Sequence, residues 1–137
     1  MSLLSTVRLL MLAIVLAVLP ACSTTGTGSP RGKMVMSELY FGLSKPSGGT
    51  VSPREWEHFV EHEIAPRFPD GLTLIDGTGR WRTQNGVTVR ENTKILRIVH
   101  PATADQHARI DALRKRYMEL FGQELVLEVV TPVHAVF

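Results

Sequence analysis

The chain has 137 residues, with 15 Lys and Arg against 13 Asp and Glu, and 44% of it is hydrophobic. That suits one small hydrophobic core rather than several domains. A net charge of +2, with no Arg/Lys stripe interleaved with aromatics, argues against nucleic-acid binding. The single cysteine excludes an internal disulfide, so core packing alone must hold the domain.

The first 21 residues have the layout of a secretory signal. Met1 to Arg8 is a short n-region, Leu9 to Leu19 an apolar h-region, and Ala21 the small residue before the cut. The apolar run is too short to span a bilayer alone. Leu19-Pro-Ala-Cys22 resembles the lipobox of bacterial lipoproteins. That resemblance implies cleavage before Cys22, a thioether-linked diacylglycerol on its sulfur, and an acylated amino group. More than one acyl chain is what stable anchoring requires. Pro20 departs from the usual small or β-branched residue and is expected to slow the cut. Ser23, in place of Asp, looks like the signal for onward sorting to the outer membrane. The expected address is the bacterial cell envelope, lipid-anchored and facing the periplasm. Residues 22–33 are small and polar, without periodicity, and read as a flexible tether. Residues 34–137 form the single domain.

The first strand is expected over Met34 to Leu43, with Val35, Leu39 and Phe41 on one parity. Ser52-Pro-Arg-Glu55 is a capping box over a first-turn proline, and Val51 with Trp56 is placed as a hydrophobic staple. The helix it starts carries Trp56, Phe59, Val60 and Ile64 inward and is limited by Pro66. Strand two begins at Leu72 and reads to Arg82, with a bulge or sharp bend expected at Gly77 and Gly79. Asn85-Gly86 marks a hairpin, and strand three runs from Val87 to His100. Thr103 to Gln106 caps a second helix that runs to Phe121, with Gly122 placed as its C-cap. Strand four spans Glu124 to Thr131, with Leu125, Leu127 and Val129 on one face. The order β-α-β-β-α-β predicts a ferredoxin-like α+β split sandwich, an antiparallel sheet with two helices on one face. The other face must meet water, a ligand or another subunit. Both parities of strand one carry large apolar residues, so a homodimer through the open sheet face is expected.

Leu39-Tyr-Phe-Gly-Leu43, Pro66-Arg-Phe-Pro-Asp-Gly-Leu72, Gly79-Arg-Trp-Arg82 and Arg90-Glu-Asn-Thr-Lys94 lie in that order along the chain. Together they resemble a family of short bacterial envelope proteins catalogued as a domain of unknown function. The resemblance covers essentially the whole domain and implies an exported or lipidated single-domain protein. It implies no reaction and carries over no catalytic residue.

Two groups of residues hold chemistry. His58-Phe-Val-Glu-His62 fits the H-x-x-E-H pattern of inverted zinc peptidases, with both histidines on one helix face. The pattern is short, and this helix face is Glu-rich throughout, so a solvated face is the favoured reading and no metal is expected. Tyr40, Arg80, Trp81, Arg82, Arg90 and Lys94 lie on the first three strands and form the candidate ligand site. Basic groups beside Trp81 suit a carboxylate, a phosphate or a sugar; the competing reading is cross-strand pairing of Arg with Glu. No Gly-rich phosphate loop follows a strand and no serine sits in a nucleophile elbow, so no cofactor and no catalytic set is expected. The reading that follows is a non-enzymatic envelope module that binds a small ligand or an envelope protein. The alternative is a small enzyme using Tyr40, Arg90 or His100 as acid–base groups on the open face.

The anchor gives the first test. Cys22→Ser should abolish fatty-acid labelling and leave an uncut precursor, with the domain unchanged. A Cys22→Ser protein that labels and fractionates like the original would remove the lipoprotein reading.

Overall fold

The computed structural model describes residues 32–82 and 85–136. The signal segment, Cys22 and nearly all of the tether lie outside the described residues, as do residues 83, 84 and 137. The elements are β1 (Met34–Gly42), α1 (Pro53–Phe59), β2 (Thr73–Arg82), β3 (Thr88–Pro101), α2 (Ala104–Phe121) and β4 (Leu127–Val133). One antiparallel sheet has the order β2-β3-β1-β4. This is the expected ferredoxin-like α+β split sandwich. None of the described helices is long and apolar enough to cross a membrane.

Register fixes what each face carries. Val35, Ser37, Leu39 and Phe41 of β1 are buried under the helices. Leu39 pairs with Leu96 of β3 and Glu128 of β4, and Leu96 pairs with Leu74 of β2. Alternation then puts the even-numbered residues of β2, β3 and β4 on the helix side. Odd-numbered residues of those strands, with Met36, Glu38 and Tyr40 of β1, make the open face.

Two local expectations change. The β2–β3 register is unbroken from Thr73↔Arg97 to Arg82↔Thr88, so Gly77 and Gly79 form no bulge. β4 begins at Leu127 rather than Glu124, because residues 123–126 are used in the return from α2, which Gly122 ends at φ 66. Val126, just before the strand, is the residue that enters the core.

Helix α1 starts as its sequence dictates. Ser52 Oγ accepts the Glu55 N–H at 3.2 Å, and Glu55 Oε2 accepts the Ser52 N–H at 2.8 Å. Lys45 Nζ donates to the other Glu55 oxygen at 2.7 Å. The helix continues as a π-helical stretch over Val60–Ile64 and a 3-10 turn over Ala65–Arg67. Phe59 and Ile64 are both buried although five residues apart. The wide turn brings Ile64 closer into line with Phe59 than regular α spacing, which already sets it at the edge of the apolar stripe. Glu63 then joins this segment to α2, with Arg67 at 2.8 Å and Arg116 at 3.0 Å.

Phe41 is the centre of the core. Its ring lies 4.7 Å from Tyr117, 5.5 Å from Trp56 and 5.9 Å from Phe59. Such tilted pairs add about 0.5–1.5 kcal/mol each beyond their buried area. The Tyr117 hydroxyl donates to the Gly42 carbonyl at 2.8 Å, satisfying its one polar atom. Burial pushes the Tyr117 phenol well above its ordinary range, helped by the charges of Glu91 and Glu55.

The α1 cap makes acid stability measurable. Hydrogen bonds from Lys45 and Ser52 lower Glu55 from 4.5 to about 2. A depressed carboxyl stabilises the fold fully above its unfolded value, and that contribution fades as pH falls through the folded one. Glu55→Gln should therefore flatten the stability curve between pH 4.5 and about 2, as read by urea titrations across that window.

Candidate functional site: a hollow on the open sheet face

On β2 the open face carries Thr73, Ile75, Gly77, Gly79 and Trp81. Gly77 and Gly79 pair with Thr93 and Glu91 of β3. Two glycines at alternate positions remove two adjacent side chains from one face of a sheet. The neighbours use the space. A Cβ on Gly77 would lie 3.3 Å from Ile95 Cδ1, and one on Gly79 would lie 3.0 Å from Thr93 Oγ1.

The result is an open-sided hollow of about 410 Å³, within the usual range for small-molecule sites. Tyr40, Trp81, Ile95, Leu125 and Leu127 line it with apolar surface; Glu91, Thr93, Gln123 and Glu124 supply the polar groups. Trp81 is 37% exposed and Leu125 59%, so the walls are accessible.

Glu91 is fixed by Gly42. Its carboxylate lies over the bare Cα of Gly42, where a Cβ would be 2.6 Å from Oε1. Glu91 Oε2 accepts the Ser44 N–H at 3.1 Å. Opposite, Gln123 Nε2 donates to the Ser44 carbonyl at 2.7 Å, which holds the segment between α2 and β4 against the end of β1. The hollow can therefore take a molecule with a flat apolar part and hydrogen-bond donors.

The sequence-predicted residues divide between the two faces. Tyr40 and Trp81 both line the hollow, and Arg80 reaches its rim. Arg90 and Lys94 line a separate cleft on the helix side, with Ser44, Thr50, Trp56 and Asn92. Lys94 Nζ bonds Asp76 there and lies 6.0 Å from the Trp56 ring centroid. Arg82 is exposed at the outer end of β2. The contributions of Gly42, Gly77, Gly79, Glu91 and Thr93 were hidden in the sequence by the expectation of a bulge. The available signal was glycine at i and i+2 within a strand.

His58 and His62 stack, with ring centroids 4.1 Å apart and planes 16° apart. His62 Nδ1 donates to the His58 carbonyl at 2.9 Å, so that nitrogen is engaged. No cluster of three or more His, Cys, Asp or Glu suited to a metal occurs among the described residues. His100 is buried on the helix side, far from Tyr40. Its Nε2 meets Ser37 Oγ at 2.9 Å and its Nδ1 meets the Pro101 carbonyl at 2.9 Å. Ser37 also donates to Glu128 at 3.1 Å. Tyr40, Arg90 and His100 thus share no pocket.

The fold and hollow define a small ferredoxin-like domain with a recess on its bare sheet face. Over residues 36–137 the chain matches the family described as "Protein of unknown function (DUF3574)", and it belongs to that family. A comparison with curated proteins finds no match. Among solved structures, it resembles a phage SAM lyase in complex with S-methyl-5'-thioadenosine. That match has TM-score 0.60 and 18% identity, over 74% of this chain and 82% of the other. The apo state of a phage SAM lyase aligns at TM-score 0.54 and 23% identity, with the same coverage. CutA from Synechococcus elongatus PCC7942 aligns at TM-score 0.48 and 11% identity, over 74% and 78%. These likenesses are of fold alone.

The packing of Glu91 on Gly42 is open to a mutant cycle. Gly42→Ala should displace the carboxylate from the Ser44 N–H and cost about 1.5–3 kcal/mol, the range for a hydrogen bond to a charged group. Glu91→Ala should cost a similar amount. The double variant should cost little more than the worse single one; simple additivity in denaturant melts would show that the two sites are not coupled.

Proposed function

We propose that this protein is a non-enzymatic binding module of the cell envelope, held to a membrane by lipid on Cys22, and that it captures a small ring-bearing molecule in the open-face hollow. The observation that carries this reading is the paired glycines. Gly77 and Gly79 clear the sheet between Tyr40 and Trp81, leaving aromatic and aliphatic walls around a recess of about 410 Å³. A flat ring would pack against Trp81 or Tyr40. Hydroxyl or amino groups on the same molecule would donate to Glu91, whose Oε1 is free of the Ser44 bond, or to Glu124. That combination favours a neutral or cationic ligand over an anionic one.

An adenine nucleoside has this chemistry, with a planar base and a hydroxyl-bearing sugar. The phage SAM lyase of similar fold is described in complex with such a molecule, S-methyl-5'-thioadenosine. The likeness justifies it as a first probe and no more. The separation of Tyr40 from Arg90 and His100 weighs against the enzymatic alternative, because no acid–base pair converges on one bound molecule.

Titration with S-methyl-5'-thioadenosine, alongside a panel of ring-bearing amines and glycosides, should quench tryptophan fluorescence. Trp81→Ala should weaken capture at least tenfold, consistent with about 1–3 kcal/mol for one stacked ring, while leaving the melting temperature unchanged. Gly79→Val should block the recess while leaving Trp81 in place. If no probe in the panel shifts the wild-type signal, the small-molecule reading fails.

A further inference from the structure

We propose that the outer end of the β2–β3 hairpin is a phosphate-binding grip built around Arg80 and Arg90. It shares Arg80 with the rim of the hollow but does not depend on a ligand there.

The argument begins with strand length. β3 spans 14 residues, but its pairing with β1 ends at Gly42↔Thr93. Past Asn92, whose carbonyl still accepts the Leu43 N–H at 3.0 Å, the β3 ladder is paired only with β2. The helix-side positions of this overhang are the facing pairs Thr78↔Asn92, Arg80↔Arg90 and Arg82↔Thr88, and all six residues are exposed. Three of the six are arginines, and two of those stand directly opposite each other.

Like charges directly opposed across a strand pair are destabilising. Nothing described offsets this pair. Arg80, Arg82 and Arg90 make no ion pair among the described residues. The two nearest acids on these strands are committed elsewhere. Asp76 is bonded to Lys94, and Glu91 points to the other face, where Ser44 N–H holds it. Arg90 also lines a cleft of about 600 Å³ with Asn92, Lys94, Ser44 and Thr50, which can donate hydrogen bonds, and with Glu91, whose carboxylate is turned to the Ser44 N–H.

The chemistry of the ligand follows. A guanidinium presents its donors as a planar fork that matches a pair of oxygens on an anion. A carboxylate has one such pair, in one plane. A tetrahedral phosphoryl group has oxygen pairs in more than one plane, so it can meet two forks at once. The repulsion between Arg80 and Arg90 is then replaced by attraction of both to the bound group.

The test uses the full-length protein in a neutral detergent, titrated with sodium phosphate against sodium chloride at matched ionic strength. Amide NMR shifts should saturate with phosphate and centre on residues 78–82 and 88–92. Arg80→Gln and Arg90→Gln should each weaken phosphate binding at least tenfold. Glycerol 1-phosphate in a parallel arm separates sources: binding of both assigns a terminal phosphoryl group, and binding of phosphate alone assigns the free ion. Without phosphate and at low salt, Arg90→Gln should raise the melting temperature, because it relieves the opposed charges. The proposal is overturned if chloride or acetate gives the same shifts as phosphate. It is equally overturned if both glutamine variants bind phosphate like wild type, or if Arg90→Gln melts lower than wild type in the absence of phosphate.

Discussion

The missing side chain at Gly42 is the constraint on which this structure turns. Gly42 ends β1, and its carbonyl receives the Tyr117 hydroxyl, which fastens α2 to the sheet. Its bare Cα lets the Glu91 carboxylate lie flat over the backbone. Glu91 then takes the Ser44 N–H and Gln123 takes the Ser44 carbonyl. One backbone position thus links the aromatic core, the turn after β1 and the return from α2. Any side chain there would push the Glu91 carboxylate off the Ser44 N–H.

Strand alternation does the rest of the sorting. The same six-residue reach of β2, from Gly77 to Arg82, offers glycines and Trp81 to one face and three polar or charged residues to the other. The two faces differ in character because they meet different neighbours. Beyond Gly42, β1 no longer pairs with the hairpin, and the arginines on its helix-side face are exposed while Trp81 lines the recess. A single strand pair therefore presents an aromatic, acid-rimmed surface on one side and a basic one on the other.

The architecture was legible because its signals are local. Ser52 to Glu55, Thr103 and Gly122 fix where the helices begin and end by chemistry within a few residues. Period-two burial in Val35, Leu39 and Phe41 fixes β1. The π-helical turn was not legible, since Trp56, Phe59, Val60 and Ile64 already make an inward stripe at ordinary α spacing and nothing in that pattern calls for a wider turn. The hollow was half legible. Tyr40 and Trp81 are visible as aromatics on strands, but the function of Gly77 and Gly79 depends on Thr93 and Ile95 across the ladder, a register no local pattern states. Grouping Trp81 with Arg90 and Lys94 failed to separate the faces for the same reason: parity within a strand is readable, whereas parity between strands needs the pairing.

Ser37, His100 and Glu128 join β1, β3 and β4 on the helix side of the sheet. Ser37 is 0% exposed and His100 3%, while Glu128 is half-buried. Ser37 Oγ lies 2.9 Å from His100 Nε2 and donates to Glu128 Oε1 at 3.1 Å, and Arg114 of α2 reaches the second Glu128 oxygen. These side chains form a tie that runs across the strands and up to the helix layer. A slip of one residue in any of the three strands would break its links, because every side chain would change face. The tie therefore locks the register, which backbone ladders alone, alike at every rung, do not.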